Sequence, residues 1–287
     1  MSAKILDGKW VRDQILAELQ PRIQSLKQIH RPPGLAVILV GHDPASEIYV
    51  RNKIKTCGDL GIYSEKITPP DTVTTNELLG IIKGLNERPE IDGILVQVPL
   101  PSQVDKQSVL ESVNPDKDVD GFHPMNVGKL VANSPASRAC TPAGIMEMLR
   151  RYEIPVSGKK AVVVGRSDIV GKPMALLLLH QNATVTVCHS KTADLPGECR
   201  RGDILVAAMG KPAFLTGDFI KPGATVIDVG MNRKPDGKVI GDVDPDAVKQ
   251  LAGAYTPVPG GVGPLTIAML MTNTVRAAEQ HLCSASG

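Results

Sequence analysis

Six apolar runs set the main constraint on what this chain can fold into: residues 34–41 (GLAVILVG), 92–99 (DGILVQVP), 160–165 (KAVVVG), 184–189 (TVTVCH), 203–210 (DILVAAMG) and 224–230 (ATVIDVG). Each is nearly continuous rather than alternating, as a strand reads when both faces of its sheet are covered. Helix-like segments, among them 76–87 and 172–182, lie between them. Strands alternating with helices need crossover connections, so the expected class is α/β with parallel sheets. The runs form two clusters separated by the turn-rich stretch 114–140, and 287 residues suffice for two cores. The expected division is residues 1–140, joined by a returning helix within 265–287, and residues 141–264. The terminal SASG is expected to fray.

Charge and cysteine usage exclude several classes. Thirty-two basic residues stand against 30 acidic ones with no basic block, which argues against a nucleic-acid binder. No apolar run is long enough to span a bilayer, and the amino terminus MSAKILDGKWVRDQ lacks the pattern of a signal peptide, so a cytoplasmic protein is expected. The five cysteines are scattered and form no CxxC pair or Cys/His cluster, so neither a disulfide framework nor a metal site is expected.

One helix carries an odd pair. Asp43, Pro44 and Ser46 supply capping and first-turn chemistry for a helix over residues 44–60. Glu47, Arg51, Lys55 and Asp59 recur every four residues and mark its solvent face. Lys53 points away from that stripe, toward the side of Ala45, Tyr49 and Leu60. Such a lysine either packs its stem inward and snorkels its ammonium to water, or serves a site.

In the second half, KAVVVGRSDIVGKPMA reads as strand, glycine turn and helix, with Gly165 ending the strand and Gly171 just before Pro173. That turn exposes amide donors where a pyrophosphate can sit, although only two glycines of the usual fingerprint are present. A purely structural βα turn stays open. The next strand ends in Cys188, His189, Ser190 and Lys191 without the acid that NAD-selective sites place there, while Arg166 and Lys191 could meet a 2′-phosphate. The turn therefore favours NADP over NAD.

The stretches YVRNK (49–53), DGILVQVPLP (92–101), PDKDVDGFHPMNVGKL (115–130), CTPAGIMEML (140–149), VVVGRSDIVGKPMA (162–175), TVTVCHSKT (184–192), VIDVGMN (226–232) and PVPGGVGPLT (257–266) resemble, in order, the bifunctional methylenetetrahydrofolate dehydrogenase/cyclohydrolases. They span most of the chain. No synthetase-like extension follows, so the compact two-activity form is expected. The resemblance implies two α/β domains around a cleft, the carboxyl-terminal one Rossmann-like and forming a homodimer. Residues 1–140 with the returning helix would bind folate, and residues 141–264 NADP. It implies a catalytic set of Lys53, Tyr49, Gln97 and Asp120: Tyr49 stacking on the folate's aminobenzoyl ring, Lys53 acting in the cyclohydrolase step, Gln97 bonding that lysine, and Asp120 binding the pterin. Gly165, Arg166, Ser167, Gly171, His189, Ser190 and Met231 fall on the NADP side, and Pro259, Gly260 and Gly261 line the folate site.

The implied chemistry suits these residue types. Removing hydride from the methylene carbon between N5 and N10 needs orientation rather than a strong base. Hydrolysis of the resulting methenyl cation must move protons, and both burial and a nearby positive charge favour the neutral form of an amine. An ionised Asp120 could accept two N–H bonds from the pterin's aminopyrimidine edge. An Asp-Gly turn is the ordinary alternative for Asp120, and Asp118, two positions earlier, is read as a structural loop residue. Two other readings stay open: a binder that has lost turnover, and an NADP-dependent dehydrogenase of another small molecule on a similar scaffold.

Overall fold

The computed structural model describes residues 3–234 and 236–285, the side chains of Ala45, Ser284 and Ala285 excepted. In chain order the strands are β1 (Lys4–Ile5), β2 (Gly34–Ile38), β3 (Tyr63–Ile67), β4 (Gly93–Val96), β5 (Lys160–Val164), β6 (Thr184–Cys188), β7 (Ile204–Ala207), β8 (Thr225–Asp228), β9 (Asn232–Arg233), β10 (Val239–Ile240) and β11 (Ala254–Tyr255). The helices are α1 (Gly8–Ile29), α2 (Pro44–Leu60), α3 (Thr75–Glu87), α4 (Lys106–Ser112), α5 (Pro124–Val131), α6 (Cys140–Arg151), α7 (Gly171–His180), α8 (Leu195–Arg200), α9 (Pro245–Leu251) and α10 (Gly263–Ala285). By packing, the chain forms two units: residues up to Asp13 with Ala139–Met269, and Gln14–Arg138 with the residues from Leu270 onward.

The unit containing Gln14–Arg138 is built on a three-stranded sheet in the order β3-β2-β4, with both pairings parallel. Every residue of β2 and β4 is buried, as continuous apolar runs demand. Helix α3 buries Leu78, Ile82 and Leu85 at 3–4 spacing against Ile38, Ile94 and Val96. Burying each such side chain stabilises the fold by roughly 1.5–3 kcal/mol. Its start is fixed by a capping box, in which the Thr74 hydroxyl accepts from the Glu77 amide and the Glu77 carboxylate from the Thr74 amide. At the opposite end of β4 from its loop toward residue 97, Asp92 is fully buried and accepts from Arg31, the Gly34 amide and His281. Burial opposes its charge, but those donors hold its carboxyl below the usual range.

The other unit carries a six-stranded sheet in the order β1-β11-β8-β7-β5-β6, parallel throughout, beside the antiparallel hairpin β9-β10. β5, β7 and β8 are buried, but β6 lies at the edge with Thr184, Thr186 and Val187 exposed. TVTVC is thus a half-covered edge strand rather than one buried on both faces. The strand β1 adds to this sheet, so residues 3–13 pack here rather than with the unit that follows them in sequence, unlike the division expected at residue 140. The chain passes from β5 to β6 on one side and back to β7 on the other. The strand order therefore reverses at the carboxyl ends of β5 and β7, where α/β sheets open a ligand crevice.

Helices expected at 44–60, 76–87, 172–182 and 264–282 are found as α2, α3, α7 and α10. The expected fraying falls partly outside the described residues: α10 runs through Ala285, and residues 286 and 287 lie beyond them. Among the described residues no helix is long and apolar enough to cross a membrane.

Candidate active site

In the first of these units the site begins with α2. Its N-cap Asp43 accepts from the Ser46 amide, Pro44 occupies the first turn, and Gly61 ends the helix in the left-handed region at φ 74°. The buried stripe is Ser46, Val50, Lys53, Cys57 and Leu60. Lys53 therefore occupies a core position, 7% exposed. Tyr49 departs from the expected inward face. It is 40% exposed, on the flank of the stripe one turn before the lysine. The 100° step places neighbours i and i+4 about 40° apart, enough to bury one and leave the other open.

The Lys53 ammonium position is set by Gln97, just beyond β4. Nζ donates to Gln97 Oε1 at 3.0 Å. Gln97 in turn donates from Nε2 to the Val98 carbonyl at 2.7 Å, and its backbone amide donates to Ile38 O at 2.9 Å. With the amide nitrogen committed to a carbonyl, only the oxygen is left to face the lysine. The partner is therefore neutral and fixed in direction.

Asp120 is half-buried and close enough to Lys53 for their charges to interact. Burial, opposed by Lys53 and reinforced by Asp118, pushes its carboxyl up to about 6. Asp118 has a different task. Its carboxylate accepts from the amides of Gly121, Phe122 and His123 and from Asn126 Nδ2, at 2.8–3.3 Å, and so folds the loop that presents Asp120. The structure thus agrees with reading Asp118 as a loop organiser.

In the other unit, Gly165 ends β5 at φ 130°, a region L side chains avoid, and a Cβ there would lie 2.1 Å from the Ala208 carbonyl oxygen. A Cβ on Gly171 would lie 2.2 Å from the Gly165 oxygen. Ser167 Oγ accepts from the amides of Val170 and Gly171, both at 3.3 Å, and Ser167 O accepts from Lys172, so this serine organises the start of α7. The amides of Arg166, Ser167, Asp168 and Ile169 have no acceptor among the described residues. Four donors in succession at a helix amino terminus suit a pyrophosphate.

After β6, His189 and Thr192 close a small turn: the His189 amide donates to Thr192 Oγ1, and His189 Nδ1 accepts from the Lys191 amide. Ser190, Lys191 and Arg166 remain exposed. The next acid, Asp194, is committed to capping α8 through the Gly197 amide. With no acid from His189 to Ala193 and the first one after β6 so engaged, the end of β6 fits NADP. Met231 follows β8 and is 45% exposed. Gly260, at φ 105°, accepts from the Gly8 amide, and Gly261 donates to Pro257 O and leaves no room for a Cβ. The loop holding Pro259, Gly260 and Gly261 is therefore pressed against the start of α1.

Residues 6–120 match the catalytic domain of tetrahydrofolate dehydrogenase/cyclohydrolase, and residues 139–282 match its NAD(P)-binding domain. The chain belongs to this family. It is 66% identical to the bifunctional protein FolD of Solibacter usitatus, over 97% of this chain and 98% of that protein. Among solved structures, the bifunctional FolD enzyme of Campylobacter jejuni is 47% identical, with a TM-score of 0.95, over 97% of this chain and 99% of that one. The methylenetetrahydrofolate dehydrogenase-cyclohydrolase of Trypanosoma brucei, solved with NADP and an inhibitor, is 39% identical with a TM-score of 0.94, over 98% and 99% of the two chains.

Within this family frame, the sequence reading missed two carboxylates in the six-stranded unit. Asp228 and Asp242 are both buried, and each accepts several backbone amides. Burial and the neighbouring Asp242 push the Asp228 carboxyl up to about 6, against the pull of its amide donors. The signal available was the Asp of VID, at the end of an apolar run, and the first Asp of GDVD, each of which reads equally well as ordinary turn chemistry.

Proposed function

We infer that the protein oxidises 5,10-methylenetetrahydrofolate to 5,10-methenyltetrahydrofolate with NADP and hydrolyses the product to 10-formyltetrahydrofolate. The observation that carries this reading is a buried lysine bonded to a neutral, oriented glutamine beside a carboxyl of raised pKa, in a chain that also has a free amide cradle for a dinucleotide.

When bound, NADP supplies the hydride acceptor. The amides of residues 166–169 hold its pyrophosphate, with Arg166, Ser190 and the His189 turn on the 2′-phosphate side and Met231 along the nucleotide. On the folate, Tyr49 offers its open ring face to the aminobenzoyl group and Asp120 accepts from the pterin's N–H edge. For hydrolysis, Lys53 Nζ carries the proton that the attacking water gives up. Gln97 keeps that nitrogen in place without adding negative charge, because a carboxylate there would hold the lysine protonated.

We also propose that residues 1–140 with the returning helix serve folate, that 141–264 serve NADP, and that the enzyme is a cytoplasmic homodimer formed through the nucleotide-binding part. The family resemblance supports this, and light scattering should return twice the chain mass. One assay tests the main reading: NADPH formation and methenyl-folate decay are followed together after adding methylenetetrahydrofolate. Both signals are expected. Turnover of NADP by a substrate other than folate, with no hydrolysis of methenyltetrahydrofolate, would sink the reading.

A further inference from the structure

The carboxyl end of β7 forms one wall of the crevice where the strand order reverses. The Ala208 amide donates to Val164 O at 2.8 Å, and the Ala208 carbonyl lies against Gly165, so the residues that follow β7 run beside the glycine turn. What holds those residues is a single side chain. Asp242, with no exposed surface, accepts from Met209 N at 2.6 Å and Gly210 N at 2.9 Å through Oδ2, and from Lys211 N at 2.9 Å through Oδ1. Oδ1 also accepts from Asn232 Nδ2 at 2.9 Å. Asp242 is itself held from behind: Asp228 accepts the amides of Asp242, Val243 and Gly230, all at 2.9 Å. Met231 therefore sits between two tethered neighbours, Gly230 bound to Asp228 and Asn232 bound to Asp242.

A buried charge on a loop is expensive unless donors surround it. Here the donors are three consecutive amides of another loop, which the carboxylate holds in one conformation. We propose that Asp242, backed by Asp228, is a positioning residue for NADP. It fixes residues 209–211 and Met231 as the wall of the crevice facing the amide cradle at 166–169, without touching the cofactor. The inference rests on the NADP reading of that cradle.

The direct test is calorimetric titration of the full-length protein with NADP in the absence of folate, alongside steady-state rates of both reactions. Hydrolysis of methenyltetrahydrofolate needs no hydride acceptor, so it reports whether the rest of the enzyme is intact. Asp242→Asn leaves one oxygen for four donors. It is expected to weaken NADP binding at least ten-fold and raise the KM for NADP, with the cyclohydrolase rate within two-fold of the parent. Asn232→Ala removes one of the four bonds and spares the loop amides. It should weaken NADP binding by less, and it serves as the readout if Asp242→Asn does not fold. Unchanged NADP affinity in the folded variants overturns the inference, and so does a parallel fall in NADP affinity and cyclohydrolase rate, which would mark a merely structural anchor. A parent that binds no NADP overturns the functional reading and this inference together. A parent that binds it as well as Asp242→Asn does overturns the inference alone.

Discussion

Around Lys53 the polar atoms brought together belong to side chains, an amine, an amide and a carboxyl, whereas after β5 the open donors are backbone amides beside glycines and Ser167. Both places lie just past the carboxyl ends of buried parallel strands. On the roles proposed above, the difference follows from what each would do. Moving a proton needs a titratable group whose protonation state the surroundings tune, while holding a pyrophosphate needs several donors of fixed direction. A site made of side chains should respond to changes in chemistry at constant shape. One made of backbone should respond to changes in shape at constant chemistry.

That contrast can be broken by experiment. The largest effect is expected for Lys53→Met, which keeps the stem and deletes the amine: cyclohydrolase rate should fall by about a thousand-fold or more, with NADP affinity unchanged. Equal hydrolysis by mutant and parent would remove Lys53 from its role. Gln97→Glu should slow hydrolysis by about ten- to hundred-fold, because a carboxylate 3.0 Å from Nζ favours the charged amine, and raising the pH should recover part of the loss. A rate that stays flat with pH would show that the glutamine's neutrality is irrelevant.

Gly165→Ala probes the backbone site. The forced φ and the Ala208 clash should cost about 1–3 kcal/mol of stability and weaken NADP binding, with hydrolysis of methenyltetrahydrofolate spared once the protein is folded. Loss of hydrolysis in step with NADP binding would contradict the separation of the two sites.

The smallest effect is a pH limb. Because burial lifts the Asp120 carboxyl to about 6, the form that accepts pterin N–H bonds is lost as pH falls through that value, and kcat/KM for folate should fall with it. Asp120→Asn should flatten the limb. For folding the sign is reversed: a raised pKa means the folded chain holds the proton more tightly. This contribution is therefore full below about pH 4 and is lost as pH rises through about 6. An unaltered acid limb in the variant would assign the titration to another group.

Much of this was legible beforehand because it is local. Six apolar runs became six strands of two parallel sheets, and four helix patterns became helices, α2 with its expected Asp43 cap. Strand β3, YSEKI, was illegible because it is a polar edge strand, and β1 and β11 are too short to carry a period. Helical register predicted correctly that Lys53 faces inward. It misjudged Tyr49, since periodicity resolves a face and not the boundary of burial on it.

By itself, then, the sequence determined the α/β class, the inward lysine, the glycine turn and the missing acid after β6, because each depends on residues within one element. Tertiary structure decided what depends on distance. It turned the Gln97 oxygen toward a lysine 44 positions away, separated Asp118 as loop organiser from Asp120 as the carboxyl beside Lys53, and set Asp242 against the amides of residues 209–211. The physical reason is that hydrogen-bond partners and burial are properties of the assembled sheet. Strands remote in sequence end side by side there, and no spacing along the chain records which loop will meet which.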